Sequence, residues 1–340
     1  VRSLIDTYRH TGWMPDARIA GSNGLTQGGS NGDVVIADAF VKGLKGIDYK
    51  TALEALIKNA EVDSSRPLLE GREVTEYKTK GYLSLGLPRS ASRTLEYAYN
   101  DYAISLVAAG LGQSALAAKY RERSKNWRNL WNPESKSIHP RNSDGTWMQG
   151  FTPEFYFPDK KKWDYWNSPF YEGSALQYST FVPHDVQGLI DRLGGDAGFV
   201  AWLDRLFDSG SYNPSNEPDI LAPYLYIHAG RPDRAAERVG QLLATQYSSA
   251  RNGLPGSDDA GTLSAWYLFS ALGFYPNAGQ PYYYIVPPLF ESARIDLGGE
   301  SQSKKFLLIQ KIGVGKYISK ILLNGKVLNR EWMKHQEIAQ

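Results

Sequence analysis

The sequence of 340 residues contains no cysteine. Zinc–thiolate centres, disulfides and cysteine nucleophiles are therefore excluded. The sequence also lacks an apolar run of the length that spans a bilayer, so no membrane span is expected. Lysine plus arginine number 38 against 36 for aspartate plus glutamate, and a net charge of +2 is too balanced to indicate a nucleic-acid-binding surface.

The chain is ordinary in its overall balance, with 42% hydrophobic and 22% charged residues, which is typical of a globular protein with a large core. It begins at Val1 inside an amphipathic pattern, without an initiator methionine or a signal peptide. We interpret it as a fragment or a processed product whose targeting segment is not visible. The absence of cysteine fits an exported bacterial enzyme, so the expected location is periplasmic or secreted.

Apolar residues recur at helical spacing through most of the first 280 residues. The predicted helices run over 1–11, 33–44, 49–60, 94–111, 115–131, 174–178, 186–193, 198–207, 220–228, 234–247 and 262–272. Residues 61–87 are predicted to be extended, and 131–166 form a long aromatic-rich excursion with short strands. Helices in successive pairs without a clean sequence repeat favour a closed α/α barrel over an open solenoid.

From residue 282 onward the apolar period changes to two, which predicts strands over 284–286, 292–297, 305–310 and 317–323. Asn324-Gly325 is a strong hairpin-turn signal. The predicted fold class is therefore mainly α, with an α/α barrel over residues 1–280 and a small β module over residues 281–340.

Two adjacent carboxylates, Asp258 and Asp259, lie in a short loop between Gly256 and Gly261, directly before a predicted helix. A loop at the mouth of a rigid helical scaffold is a common position for catalytic groups. The simpler interpretation is that one of the two aspartates only caps the helix, because aspartate is a favoured N-cap residue.

Two further acidic positions share this setting. Glu172 is followed by Gly173 at the start of a short helical segment, and Glu217 lies between Asn216 and Pro218 ahead of another. Each could again be a cap, since helix N-termini stabilise anions. Three such positions together favour a carboxylate pair for glycoside hydrolysis, with a third acid and its amide neighbour available to hold Ca²⁺.

Other motifs give weaker signals. The glycine-rich stretch before Asp33 matches neither a dinucleotide-binding nor a phosphate-binding loop. The five histidines have no zinc-ligand spacing. His184 is a candidate for the pocket lining, and a capping or structural role is an equally good interpretation.

Several motifs occur in the order found in one known family: Ser90-Ala91-Ser92-Arg93-Thr94-Leu95-Glu96-Tyr97-Ala98-Tyr99, Tyr171-Glu172-Gly173 with Gln177-Tyr178, Phe181-Val182-Pro183-His184-Asp185, Asn216-Glu217-Pro218, and Gly256-Ser257-Asp258-Asp259 with Ser264-Ala265-Trp266-Tyr267. Together they resemble glycoside hydrolase family 92, calcium-dependent inverting exo-α-mannosidases. The resemblance implies an (α/α)6 barrel with the following β strands. It also implies that the family's N-terminal β-sandwich, which contributes to the active-site wall, is absent from this chain.

Carried over by motif, the resemblance implies that Glu172 is the general acid and Asp259 the general base, with Asp258 in support. It implies that Asn216 and Glu217 help to hold calcium and the sugar. Asp33, Gln177 and His184 are further candidates for substrate contact. Ser257 departs from the family, which often has aspartate or asparagine at that position.

The hypothesis that follows is the removal of terminal α-linked mannose from glycans with inversion at C1, assisted by Ca²⁺ bound to mannose hydroxyls. An inverting carboxylate pair is expected to stand about 6.5–9.5 Å apart. Two alternatives remain: another inverting glycosidase or phosphorylase on an α/α barrel, and a non-catalytic glycan-binding fragment. The linkage cleaved is left open.

Overall fold

The computed structural model describes residues 1–16, 18–19, 22–23, 29–67, 69–154, 168–298 and 305–338. The chain forms two compact units, and each is described by itself. The first unit comprises Val1–Arg192 with Ala278–Gln280, and the second comprises Leu193–Asn277 with Pro281–Gln340.

The first unit is mainly helical. Its helices are α1 (Arg2–Thr11), α2 (Gly32–Val41), α3 (Tyr49–Glu61), α4 (Val74–Lys80), α5 (Ser90–Gly110), α6 (Ser114–Arg123), α7 (Ala175–Tyr178) and α8 (Val186–Arg192), with a 3-10 helix at Ser124–Leu130. Its described strands form two short antiparallel pairs, β1 (Arg18–Ile19) with β2 (Ser22–Asn23) and β3 (Trp131–Asn132) with β4 (Ser137–Ile138).

Helix α5 lies at the centre of this unit, with α2, α3 and α6 packed against it. Leu95 and Ile104 are fully buried in it, and so are polar residues such as Ser92 and Asp101. A helix that is buried around most of its circumference belongs to the core. Its buried polar groups need hydrogen-bond partners inside the protein. Asp101 accepts from Arg72, and Ser92 accepts from the backbone of Tyr171.

The second unit combines helices with strands. Its helices are α9 (Asp196–Asp208), α10 (Ala222–Leu225), α11 (Pro232–Thr245), α12 (Thr262–Leu272) and α13 (His335–Ile338), with 3-10 helices at Glu217–Asp219 and Tyr226–Ala229. Its strands are β5 (Phe274–Pro276), β6 (Tyr282–Ile285), β7 (Ser292–Gly298), β8 (Lys305–Gln310), β9 (Ile321–Leu323), β10 (Lys326–Leu328) and β11 (Trp332–Lys334).

The strands of the second unit pair antiparallel in the order β11-β6-β5, and as the hairpins β7–β8 and β9–β10. One buried residue from each strand of the three-stranded sheet, Phe274, Tyr283 and Met333, forms its apolar core. The predicted hairpin turn at Asn324-Gly325 is confirmed, since both residues have positive φ (50° and 78°) and Leu323 pairs with Lys326. Such a turn matches the twist of the strands that it joins.

Three predicted elements were wrong in detail. Residues 61–87 contain helix α4, which buries only Val74 and Tyr77 and so gives too short an apolar pattern to recognise. The helix predicted over 220–228 is broken into α10, with Pro223 in its first turn, and the 3-10 helix Tyr226–Ala229. The strand predicted over 317–323 is limited to Ile321–Leu323, because its partner β10 has only three residues.

The predicted aromatic excursion begins with the β3–β4 pair, and its residues 155–167 lie outside the described residues. The predicted boundary between residues 280 and 281 stays a prediction. The two compact units divide near residue 192, and the second groups α9 to α12 with the C-terminal strands. Across the described ranges, every helix is too short or too polar to traverse a bilayer.

Candidate active site

The two adjacent aspartates of the second unit have different contacts. Asp258 accepts hydrogen bonds from the backbone N–H of Ser264 at 2.8 Å and from its hydroxyl at 2.7 Å. These bonds lower the pKa of Asp258 below its ordinary value. Because the first N–H groups of a helix have no intrahelical partner, Asp258 acts as a cap of α12.

Asp259 takes no part in this cap. It is exposed, and its backbone is left-handed, with φ at 39°. Its Oδ1 accepts a hydrogen bond from the Ser257 hydroxyl at 3.1 Å. The loop therefore separates the two carboxylates into one that stabilises the helix and one that is presented to solvent.

The Asn216–Glu217 segment forms a tight turn. Asn216 caps the 3-10 helix Glu217–Asp219 by accepting the Glu217 N–H at 3.0 Å. Asp219 is fully buried and accepts the N–H of Asn213 at 3.0 Å. Asn216 and Glu217 themselves are half-buried.

This turn and the Asp258–Asp259 loop are direct neighbours within the second unit. A Cβ at Gly256 would lie 2.3 Å from the carbonyl oxygen of Ser215, so only glycine allows the two backbones to approach so closely. The indole N–H of Trp266 in α12 also donates to the carbonyl of Ile220 at 2.9 Å. The structure thus brings together two of the three predicted acidic segments.

Two aromatic side chains pack beside this region: Trp266 of the quoted motif, and Tyr247, which the sequence analysis did not single out. Tyr247 stacks on Trp266, with ring centroids 5.5 Å apart. Burial, and then the charge of Asp258, raise the pKa of Tyr247 to about 12, so its hydroxyl remains a proton donor at neutral pH. Tyrosine beside tryptophan is an apolar surface with a polar handle.

In the first unit, Glu172 is half-buried and has a left-handed backbone, with φ at 47°. The next helix, α7, begins with a capping box in which Ser174 Oγ accepts the Gln177 N–H and Gln177 Oε1 accepts the Ser174 N–H at 2.7 Å. Gln177 is 3% exposed. The capping box therefore fixes Gln177, whose side-chain oxygen is used by Ser174, and Glu172 lies two residues before this box.

Asp33 is fully buried at the start of α2. It accepts hydrogen bonds from Ser30 at 3.2 Å and from the Arg72 guanidinium at 2.6 Å. Burial raises the pKa of Asp33 to about 7, and the Arg72 charge opposes that rise. These are the contacts of a structural ion pair, and the predicted sugar contact of Asp33 stays a prediction.

His184 packs inside the first unit as well. Its Nε2 lies 2.9 Å from the Ser124 carbonyl oxygen, and its ring stacks on Tyr99 with centroids 5.5 Å apart. Burial lowers the pKa of His184 to about 4, so the imidazole is neutral at pH 7. A hydrogen-bonded neutral histidine in a stack agrees with the structural interpretation, and its contact with substrate stays a prediction.

The predicted metal ligands can be tested by their donor chemistry. Among the residues that the structure describes, no three histidine, aspartate or glutamate side chains cluster closely enough to hold a metal ion. The Asn216 amide and the Glu217 carboxylate offer half-buried oxygen donors in one turn. Oxygen donors of this kind are those that calcium takes, so the donor type fits a hard cation.

Comparison with known proteins decides the family. The family model described as the glycosyl hydrolase family 92 catalytic domain matches residues 1–340. The chain belongs to glycosyl hydrolase family 92. The predicted resemblance and the mainly helical fold class are thereby confirmed.

Proteins similar to this family 92 chain include one from Arthroderma benhamiae and two from Bacteroides thetaiotaomicron. An uncharacterized secreted glycosidase of Arthroderma benhamiae is 37% identical over 363 residues, covering 98% of this chain and 46% of that protein. The family GH92 inverting mannosidase BT2199 from Bacteroides thetaiotaomicron has a TM-score of 0.89 and 30% identity, covering 99% of this chain and 48% of that one.

The GH92 α-mannosidase BT3965 of the same bacterium, solved with mannoimidazole, also has a TM-score of 0.89, at 28% identity over 99% of this chain and 46% of that one. The chain therefore spans about half the length of these relatives.

Within this family 92 chain, backbone conformation marks both predicted catalytic acids. Among the described residues, only six that are not glycine have positive φ, and Glu172 and Asp259 are two of them. Non-glycine residues in this region are disfavoured and often occur at functional positions. No sequence pattern reveals this feature, because it depends on the surrounding loop contacts.

Proposed function

We propose that this chain carries the catalytic groups of an inverting exo-α-mannosidase, with Glu172 as general acid and Asp259 as general base. The observation that carries the proposal is the family match along residues 1–340, together with solved relatives described as an inverting mannosidase and an α-mannosidase. The exposed Asp259 and the half-buried Glu172, each in a left-handed loop position, support the assignment.

In the proposed reaction Asp259 takes a proton from a water molecule. The water oxygen forms a bond to C1 of the mannose on the face opposite the leaving group, while the bond from C1 to the glycosidic oxygen breaks. Glu172 gives its proton to that oxygen, so the products are an alcohol and mannose with an inverted anomeric centre. Asp258 keeps α12 capped and thereby fixes the loop that carries Asp259.

We further propose that Asn216 and Glu217 would contribute oxygen ligands to Ca²⁺. When bound, such a cation supplies positive charge for sugar hydroxyls beside the Asp259 loop. Gly256 keeps that loop against the turn of Asn216, so the sugar and the base would be held by neighbouring segments.

The proposed substrates are mannose-containing glycans, and an exported location agrees with the secreted glycosidase among the relatives. Because those relatives are about twice as long as this chain, residues outside it, such as the family's N-terminal β-sandwich, are expected to complete the site.

The test is hydrolysis of a panel of α-linked mannobiosides by this chain and by a longer polypeptide that includes the relatives' remaining length. NMR of the first product should give the inverted anomer. Glu172→Gln and Asp259→Asn are each expected to lower kcat by about 10²–10⁴-fold. Product with retained configuration, or full activity in Asp259→Asn, would overturn the assignment.

The same panel separates the alternatives. Turnover that requires phosphate would identify a phosphorylase. Sugar binding without turnover in the longer polypeptide, unchanged by Glu172→Gln, would identify a glycan-binding module. Activity that survives EDTA unchanged would remove the calcium part of the proposal and leave the carboxylate pair.

A further inference from the structure

The segment that leads into Glu172 is attached to the first turn of helix α5. The Arg89 N–H donates to the carbonyl of Ser168 at 2.9 Å, and the N–H groups of Ala91 and Ser92 donate to the carbonyl of Pro169 at 2.9 and 3.2 Å. Helix α5 has no side-chain N-cap, and Arg89 at its N-cap position is left-handed, with φ at 53°. The loop therefore supplies the partners that the first N–H groups of a helix require.

The residue before Glu172 is held through both of its backbone polar groups. The Tyr171 N–H donates to Ser92 Oγ at 2.8 Å, and the Tyr171 carbonyl accepts the Tyr178 hydroxyl at 2.8 Å. Ser92 is fully buried and Tyr178 is 2% exposed. The Arg89 guanidinium lies over the Tyr171 ring at 4.4 Å from its centroid.

These contacts bear on Glu172 through the peptide plane. The Tyr171 carbonyl and the Glu172 N–H belong to one planar unit, so a hydrogen bond to that carbonyl fixes the plane from which the φ angle of Glu172 is measured. Glu172 has φ at 47°, a conformation that a residue with a side chain adopts only when its surroundings impose it. Tyr178 also packs tightly on this loop, since a Cβ at Gly173 would lie 2.9 Å from its ring.

We propose that Ser92 and Tyr178 are positioning residues of the reaction: by holding both backbone groups of Tyr171 they fix the left-handed conformation of Glu172 and so aim its proton at the glycosidic oxygen. This inference rests on the proposed role of Glu172 as general acid. It also assigns a role to Ser92, one of the two serines of the Ser90–Tyr99 motif.

The hydroxyl of Tyr178 is kept as a donor by its surroundings. Burial, followed by the charge of Glu96, raises the pKa of Tyr178 well above its ordinary value. Glu96 lies one helical turn after Ser92 on the same face of α5. The two residues that hold Tyr171 therefore come from different helices: Ser92 lies on α5 and Tyr178 on α7.

The test uses Tyr178→Phe, which removes only the hydroxyl, in the longest active polypeptide that contains this chain. For a mannobioside, whose leaving group needs a proton, kcat/KM is expected to fall about 10- to 100-fold, as for a misplaced catalytic group. For dinitrophenyl α-mannoside, whose leaving group departs without a proton, kcat/KM should stay within about twofold of the parent value. A general loss of structure would lower both values together.

Tyr82→Phe is the matched control, since Tyr82 is 6% exposed in the same unit and its hydroxyl also donates to a backbone carbonyl, that of Asn142 at 3.0 Å. It should leave both substrates unaffected. If Tyr178→Phe behaves like Tyr82→Phe, the positioning role is refuted. Ser92→Ala removes the other hydrogen bond and carries the same expectation, and it decides the matter if Tyr178→Phe does not fold.

Glu172→Gln keeps the two questions apart. This variant should also lose kcat/KM on the mannobioside and keep it on dinitrophenyl α-mannoside, and its loss on the mannobioside should be larger than that of Tyr178→Phe. If Glu172→Gln lowers turnover of both substrates equally, the proposed general acid is wrong. If it shows this dependence on the leaving group and the Tyr178 and Ser92 variants do not, only the positioning inference fails.

Discussion

Glu96 makes the stability of this protein depend on pH in a direction that can be worked out from its environment. The residue is 8% exposed, and its Oε2 is buried without a hydrogen-bond partner among the described residues. Burial, and then the charge of Asp16, raise the pKa of Glu96 from 4.5 to about 8. Between these two values the folded protein holds one proton more than the unfolded chain.

The sign and size follow from this difference. Stability falls as pH rises wherever the folded state binds more protons, by about 1.4 kcal/mol per pH unit for one group. The contribution of Glu96 is complete below about pH 4.5 and is lost as pH rises through about 8. A difference of roughly 3.5 units then corresponds to about 5 kcal/mol between the two ends of the window.

Glu96→Gln keeps the size of the side chain and removes the ionisation. We expect the variant to match the parent near pH 5 and to become progressively more stable than the parent toward pH 9. The assay is urea unfolding, followed by tryptophan fluorescence at several pH values. Glu54→Gln, at an exposed position of α3, is the control and should follow the parent throughout.

The reasoning is refuted if the free energies of unfolding of Glu96→Gln and the parent change in parallel between pH 5 and 9. That result would mean that Glu96 ionises in the folded protein as easily as in the unfolded chain. If Glu96→Gln is less stable than the parent at pH 9, the predicted direction of the stability difference is also wrong.

Three further predictions concern single contacts. Arg72→Met should lower the free energy of unfolding in urea by about 3–5 kcal/mol, because two fully buried carboxylates lose their shared cation. Asp258→Ala should lower the melting temperature and reduce kcat less than Asp259→Asn does, because it loosens the loop without removing the base, whereas Asp259→Asn should lower kcat strongly and leave the melting temperature unchanged; the reverse pattern would exchange their roles. Gly256→Ala should cost about 1–3 kcal/mol through its backbone clash, while Gly240→Ala, with open space around it in α11, should be neutral or stabilising by calorimetry.

The sequence predicted most of the long helices, several strands and one hairpin turn, because apolar period and turn residues are local signals. Helix α5 and the Asn324-Gly325 turn were found in this way. The ion pair of Asp33 with Arg72 was not, since the partners are 39 residues apart and no local pattern links them. The resemblance made Asp33 a candidate for sugar contact, and its buried contacts give that candidate no direct support.

The sequence pointed to the acidic loops of the candidate site, but it left open which contacts each residue makes. The loop of Asp258 and Asp259 stands out by its glycines and its position before a helix. Two neighbouring aspartates have the same chemistry in sequence, and only the backbone decides which one reaches Ser264. Similarly, Tyr178 and Ser92 belong to recognised motifs, yet their hydrogen bonds to Tyr171 depend on where α5 and α7 lie.

The left-handed backbone at Glu172 and Asp259 places a cost to stability on the two residues proposed as the catalytic carboxylates. A residue with a side chain in this conformation is less favourable than glycine by about 1–2 kcal/mol. Left-handed residues such as Asn324 also occur in plain turns, so the conformation alone identifies no site. At Glu172 and Asp259 glycine would remove the strain and the carboxylate together. The cost therefore falls on the two positions that are proposed to present a catalytic carboxylate, which is expected if function rather than folding has fixed the residue there.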